Sequence, residues 1–424
     1  MTICQNERES AALAAVDEAG LAGLLTELIA VPSVTGSAAE SELQHLLGRR
    51  LEHLGLDVDL WSMDLLALRA HPDFPGTEVP RTEAWGLVGS TPGQGEGPAL
   101  VLQGHVDVVP PGDLGEWVGD PFVPRVMGDA VHGRGACDMK AGLAAVLTAL
   151  AAIRTAGVRL RGRLAVHFVV GEEDGGLGAF GTLRRGHTGD ACVIAEPTGS
   201  TLMRANAGAL TFRIEVPGKA THGSTRYAGV SAVDAFLPVY RALAALETRR
   251  NVERHPLLTG YPVPCPVSVG TLRAGDWASS VPGLLVAEGR LGVRLGEDVA
   301  HARAELEACV AEVCARDAWL RDHPARVTWP GGKFASGSLP EGHPLAALVG
   351  HAHADVTGGR PLPEAGAPYG SDLRLYAAEG IPTVQYGPGD ISLAHGPREQ
   401  VRLSEVVTVT RTLVLTALRA VGTA

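Results

Sequence analysis

The chain of 424 residues has no cysteine pair at redox or zinc-motif spacing: Cys4, Cys137, Cys192, Cys265, Cys309 and Cys314 lie far apart, with no CxxC among them. That scatter suits reduced thiols, most of them small buried residues, in a cytoplasm better than a disulfide framework. No run of basic residues is present and the formal net charge is −11. A nucleic-acid partner, which needs a basic face for phosphate, is therefore not expected. The first twenty residues carry acidic groups where a secretory signal would have a basic segment and an apolar core. No stretch of 18 or more apolar residues occurs elsewhere, so no membrane partner is expected and a soluble cytoplasmic protein is the default. Internal repeats and low-complexity tails are missing as well.

What is present is enough chain for more than one core, since single cores stop growing at about 250–300 residues. Leucines at helical spacing predict helices over Leu21 to Ile29 and Ser41 to Leu54. Met63 to Gly97 reads as a loop with a short strand at Trp85 to Val88. Apolar runs at Ala99 to Leu102, Leu164 to Val170, Ala191 to Ala195 and Pro382 to Tyr386 read as buried strands, alternating with helices. This predicts an α/β catalytic domain built on a mostly parallel sheet with covering helices. Between Asn206 and Gly331 the order changes to strand, helix, strand, strand, helix, strand. That is the split βαβ order of a ferredoxin-like α+β unit inserted into the larger domain. The expected domains are 1–205 and 332–424 for the catalytic part and 206–331 for the insert.

The strand ends carry the chemistry. In open α/β sheets functional groups gather beyond the carboxyl ends of the strands. Here His105 and Asp107 follow one strand, Glu172 and Glu173 the next, and Glu196 ends a third. The last strand runs into a Gly-Pro-Gly loop and then His395, and Asp138 stands just before a long Ala/Leu helix. Any one of these has an ordinary structural explanation. Together they are more ligands than one tetrahedral zinc needs and fit two metals about 3.5–4 Å apart, with a shared carboxylate and water. His167, by alternation within its strand, is read as packing, and the HAHAD stretch at His351 to Asp355 as a helix surface.

Seven motifs in order, GHVDVVP (104–110), GRGACDMKAG (133–142), GEED (171–174), AEPT (195–198), GKATHGS (218–224), SSVPG (279–283) and AHGPREQV (394–401), resemble the co-catalytic dinuclear zinc amidohydrolase family. Acetylornithine deacetylase, succinyl-diaminopimelate desuccinylase and glutamate carboxypeptidase belong to that family. The resemblance implies two divalent ions, zinc first and cobalt or manganese otherwise, bridged by Asp138. His105 and Glu196 would complete one site, Glu173 and His395 the other. It implies Glu172 as general base, Asp107 fixing the tautomer of His105, and a cis peptide after Asp138. It also implies that the insert is a dimerisation and lid domain, with His222 reaching the partner's active site in a homodimer to stabilise the oxyanion. Attack by a metal-bridging water on the amide of an N-acyl amino acid follows as the reaction.

The chain departs from the family pattern where Ser279 and Ser280 stand in place of a common asparagine, and where Arg398 stands in place of a common aspartate. A substrate carboxylate would need a bidentate partner, for which Arg374 and then Arg290 are the candidates. The leading expectation is a deacylase of the acetylornithine deacetylase kind. A dipeptidase, a carboxypeptidase or a succinyl-diaminopimelate desuccinylase on the same scaffold is the alternative, and a binding protein without catalysis the third.

Overall fold

The computed structural model describes residues 6–91 and 97–424, which leaves Cys4 outside the described residues. The chain divides into two compact units. One comprises Met1–Ala205, Ser338–Ala365 and Asp372–Ala424, the other Asn206–Gly337 and Gly366–Ser371.

The first unit is built on a mixed sheet whose spatial order is Asp57–Ser62, Trp85–Ser90, Arg163–Val169, Ala99–His105, Ala191–Pro197, Thr383–Gly387 and Leu202–Asn206. Its centre, from Arg163–Val169 to Thr383–Gly387, pairs parallel throughout. The flanking strands pair antiparallel. The expectation of a mostly parallel sheet therefore holds for the centre and needs correcting at the edges. An apolar run reports burial but carries no direction. A parallel pair needs helices over both faces, whereas the outermost strand, Asp57–Ser62, is only partly buried along its length and can turn back on its neighbour. Met63 to Gly97 likewise holds a short helix, Leu65–Ala70, that its Pro and Gly content concealed.

The helix Ala141–Thr155 runs through the middle of this unit, packed on the helices Glu18–Ala30 and Leu403–Val421 and on the strand Ala191–Pro197. By length and composition the stretch Ala136–Thr155 could cross a membrane, but 94 % of its apolar window is buried inside the protein, as befits a core helix. Its small side chains allow close approach: a Cβ on Gly142 would lie 2.1 Å from the Ala195 carbonyl oxygen. That contact sets the start of the helix against the end of the strand that carries Glu196.

The second unit has its own core. Its elements run Gly208–Pro217, helix Ala232–Arg250, Val267–Ala274, Leu284–Val293, helix Val299–Arg316 and Arg326–Thr328. The four strands form an antiparallel sheet in the order Val267–Ala274, Leu284–Val293, Gly208–Pro217, Arg326–Thr328. Period-two alternation turns Leu210, Phe212, Ile214 and Val216 inward, where they join Phe236 and Val239 of one helix and Leu306 and Val310 of the other.

Candidate metal centre

Because the four central strands of the first unit run parallel, their carboxyl ends share one edge. His105 ends its strand, Glu196 is the penultimate residue of Ala191–Pro197, and Glu172 and Glu173 follow Arg163–Val169 after Gly171. Gly171 takes the left-handed conformation (φ 64°), and a side chain there would meet the Arg81 guanidinium at 2.7 Å. His395 arrives from the loop after Thr383–Gly387, and Asp138 from the irregular turn Ala136–Lys140 that leads into the core helix. The Asp138–Met139 peptide is cis.

These groups meet. His105 Nε2 lies 3.1 Å from Asp138 Oδ1 and 3.7 Å from Glu196 Oε2. His395 Nε2 lies 3.4 Å from Asp138 Oδ2 and 3.1 Å from Glu173 Oε2. Asp138 thus turns one oxygen toward each imidazole. The donor atoms of His105, Asp138 and Glu173 lie within 4.8 Å of one another, as do those of His105, Glu172 and Glu196. Four of the six residues are buried and Glu173 is partly buried, whereas the His395 side chain is about half exposed.

The electrostatics follow from that crowding. Burial alone would lower both imidazoles, yet the carboxylates win. Glu196 and Asp138 hold His105 well above the usual histidine range, and Asp138 and Glu173 push His395 up to about 10. Burial, reinforced by Glu196 and Asp372, raises Glu172 strongly. Burial with the charge of Asp138 raises Glu173, and burial pushes Glu196 up to about 7 against the pull of His105. Asp138 alone falls, despite burial, because both histidines donate to it. Four carboxylates converging on two imidazoles carry excess negative charge that is costly to bury without cations. The donor set, nitrogen and oxygen only, suits divalent metals of the zinc, cobalt and manganese kind. The residues fit a metal centre.

Around it, Asp107 differs in detail from expectation. The backbone carbonyl of Asp107 accepts from His105 Nδ1 at 2.9 Å, while its nearest carboxylate oxygen stands 3.6 Å from that nitrogen. The carboxylate instead accepts the Glu172 and Glu173 N–H groups, each at 3.2 Å, and the Thr35 hydroxyl at 3.0 Å. Asp107 therefore sets the His105 tautomer through its main chain and the Glu172–Glu173 loop through its side chain. Arg374 also needs correcting. It is 3 % exposed and donates to the Gly175 carbonyl at 2.6 Å, so it braces the loop after the two glutamates and has no free face for a substrate carboxylate. Arg290 is exposed in the second unit, 6.0 Å from the Phe334 ring centre. His222, also in the second unit, is exposed and pairs with Ser280 in a two-stranded ribbon.

Two buried clamps escaped the sequence reading. Glu399 Oε1 accepts the N–H groups of Cys137 at 3.0 Å and Asp138 at 3.1 Å, while its other oxygen pairs with Arg134. Arg81 donates to Glu40 at 3.0 Å and to Asp174 at 3.2 Å, and Glu40 in turn accepts the Gly171 N–H at 2.9 Å. Arg134 and Glu399 lie inside two of the seven motifs, which was a usable signal. Nothing near Glu40 or Arg81 was.

Residues 101–419 match the family described as Peptidase family M20/M25/M40. An N-formyl-4-amino-5-aminomethyl-2-methylpyrimidine deformylase from Halalkalibacterium halodurans is 27 % identical over 417 residues, covering 93 % of this chain and 92 % of the relative. A succinyl-diaminopimelate desuccinylase from Alkalilimnicola ehrlichii is 31 % identical over 402 residues, covering 92 % and 96 %. Human carnosine dipeptidase 1 shares the fold with a TM-score of 0.75 at 14 % identity, over 98 % of this chain and 99 % of that one. The chain belongs to peptidase family M20/M25/M40 and is a hydrolase of linear amide bonds.

Proposed function

We propose, from that membership and from the centre's geometry, that this hydrolase removes the acyl group of a small N-acylated amino acid. The observation that carries the reading is the meeting of His105, Asp138, Glu173, Glu196 and His395 with Glu172 beside them. Asp138 would bridge two divalent ions, zinc by first preference. His105 and Glu196 would hold one, Glu173 and His395 the other. When bound, such ions polarise an amide carbonyl and acidify water at neutral pH. The chain's own residues do the rest. Glu172, buried beside His105 and Glu196, takes a proton from the attacking water and returns it to the leaving nitrogen. The C–N bond breaks, and a carboxylic acid and an amine leave. Arg290 is the remaining candidate for a substrate carboxylate.

The second unit we read as a ferredoxin-like dimerisation and lid domain. Exposed Tyr227, Tyr240, Trp277 and Leu284 support a partner surface on it. His222 Nδ1 faces the Ser224 N–H at 3.2 Å and the Ser224 hydroxyl at 2.7 Å; with Nδ1 accepting from both, Nε2–H is the donor an oxyanion requires. Mixing His222→Ala with Glu172→Gln protein tests the trans arrangement. Recovered turnover supports it, and mixed dimers with none sink it. The buried unpaired Cys137, Cys192, Cys265, Cys309 and Cys314 support a cytoplasmic setting.

A second reading rests on the deformylase likeness over nearly the whole chain: the amine need not be an amino acid. Turnover of N-acetyl, N-succinyl and N-formyl amino acids, unblocked dipeptides and N-formyl aminomethyl-pyrimidines by the metal-loaded enzyme separates the readings. Preference for the last substrate, or for dipeptides, overturns the first.

A further inference from the structure

A cavity of about 850 Å³ opens in the first unit between the end of helix Pro344–Val356, the loop after strand Thr383–Gly387 and the start of helix Leu403–Val421. None of the metal-centre side chains lines it. His353 does, although it is only 5 % exposed, which also corrects the reading of His351 to Asp355 as a helix surface. A chain of hydroxyls fixes its ring. Thr412 donates to the Thr408 carbonyl at 2.9 Å and so accepts from the Tyr386 hydroxyl at 3.2 Å. The Tyr386 oxygen is then left to accept from His353 Nδ1–H at 2.8 Å. A neutral imidazole protonated at Nδ1 bears a lone pair at Nε2. That nitrogen takes no hydrogen bond from any described residue and is not sealed from solvent. It therefore opens on the cavity. Burial and the nearby Arg360 keep His353 below the usual histidine range, so the lone pair persists at neutral pH.

The remaining polar lining carries both signs. Arg360 and Arg402 are exposed at the cavity and have no carboxylate oxygen within ion-pair distance among the described residues, although the charge of Arg402 acts on Glu405. Glu405 accepts the Gly389 N–H and the Ser200 hydroxyl, and Asp390 the Ser392 N–H. Two exposed guanidiniums at one cavity can take a carboxylate. A bare imidazole nitrogen takes an N–H donor.

We propose that this cavity is a second binding site, taking a zwitterionic α-amino acid with its carboxylate on Arg360 and Arg402 and its ammonium on His353 Nε2. The site is separate from the reacting centre and does not depend on which amide is cleaved. Calorimetric titration of the metal-loaded full chain with L-leucine, L-lysine and L-glutamate, each against the matching amine and the matching carboxylic acid, tests it. At least one amino acid binds, and its one-ended analogues bind at least tenfold more weakly. His353→Phe weakens that binding at least tenfold. Arg360→Ala with Arg402→Ala, which touches only exposed side chains, does the same and leaves basal turnover unchanged. Unchanged affinity in the double arginine variant overturns the proposal. So does failure of all three amino acids to bind, or a soaked crystal showing the amino acid at the Asp138 centre and not here.

Discussion

Arg134 and Glu399 form a buried ion pair that joins the two loops bearing Asp138 and His395. Glu399 accepts the Asp138 N–H, and Arg134 donates to the His395 carbonyl at 3.2 Å. Glu399→Gln leaves the arginine charge uncompensated in the interior and should cost about 3–5 kcal/mol of stability. It should also weaken metal binding about 10–100-fold, as loss of groups that orient ligands does. Replacing both residues by Met separates the two effects. Thermal unfolding should recover while metal affinity, read by titration, stays low.

Glu172 and Glu173 are neighbours with different contacts, since Glu173 reaches His395 and Glu172 lies by His105 and Glu196. Glu172→Gln should lower kcat by about 10²–10⁴-fold with bound metal unchanged by elemental analysis. Glu173→Gln should instead lose metal. Equal metal loss in both variants would remove Glu172 from its role as base.

Dialysis against a chelator should abolish turnover and lower the melting temperature, because the converging carboxylates lose their counter-charge. Ligand linkage sets the size: ions present at 100 times their Kd contribute about 2.7 kcal/mol per site. Added zinc, cobalt or manganese should restore both readings, and undiminished activity in demetallated protein would refute the metal centre.

His167 is fully buried against the Tyr376 hydroxyl at 2.9 Å, and burial, aided by His187 and Arg163, lowers it to about 3 from an ordinary 6.5. The folded state thus refuses a proton that the unfolded chain accepts. The stability contributed by the neutral ring is whole above about 6.5 and is lost as pH falls toward about 3. Melting temperatures of His167→Gln should decline less over that window than those of the parent chain. Parallel decline would assign the acid sensitivity elsewhere.

Gly142→Ala would set a methyl 2.1 Å from the Ala195 carbonyl oxygen, a backbone atom that cannot step aside. Overpacking of this kind costs about 1–3 kcal/mol. Since the strain falls between the Asp138 turn and the Glu196 strand, reduced metal affinity should accompany the lower melting temperature. An unchanged denaturation midpoint would show that the helix can shift freely.

The order of elements in the second unit was legible because its first strand alternates in part, with Leu210, Phe212, Ile214 and Val216 at every second position. Strand direction in the first unit was not, since an apolar run such as Leu164 to Val170 reads the same whichever way it points. His353 was misjudged because a helix in the interior of a large unit buries more than one face. Arg374 was misjudged because a guanidinium inside a motif looks alike whether it meets a ligand or the Gly175 carbonyl.

The sequence by itself picked out the side chains that meet, because His105, Asp138, Glu172, Glu173, Glu196 and His395 stand at strand ends and a helix start, places that local patterning marks. Only the tertiary structure decided how they are held. The Asp107 carboxylate turns to two backbone N–H groups, Glu399 grips the Asp138 turn, and Glu40 with Arg81 braces Gly171. Such contacts join residues up to 262 positions apart, and what selects them is the cost of leaving a buried donor or charge unsatisfied. That cost exists only once the chain has closed around them.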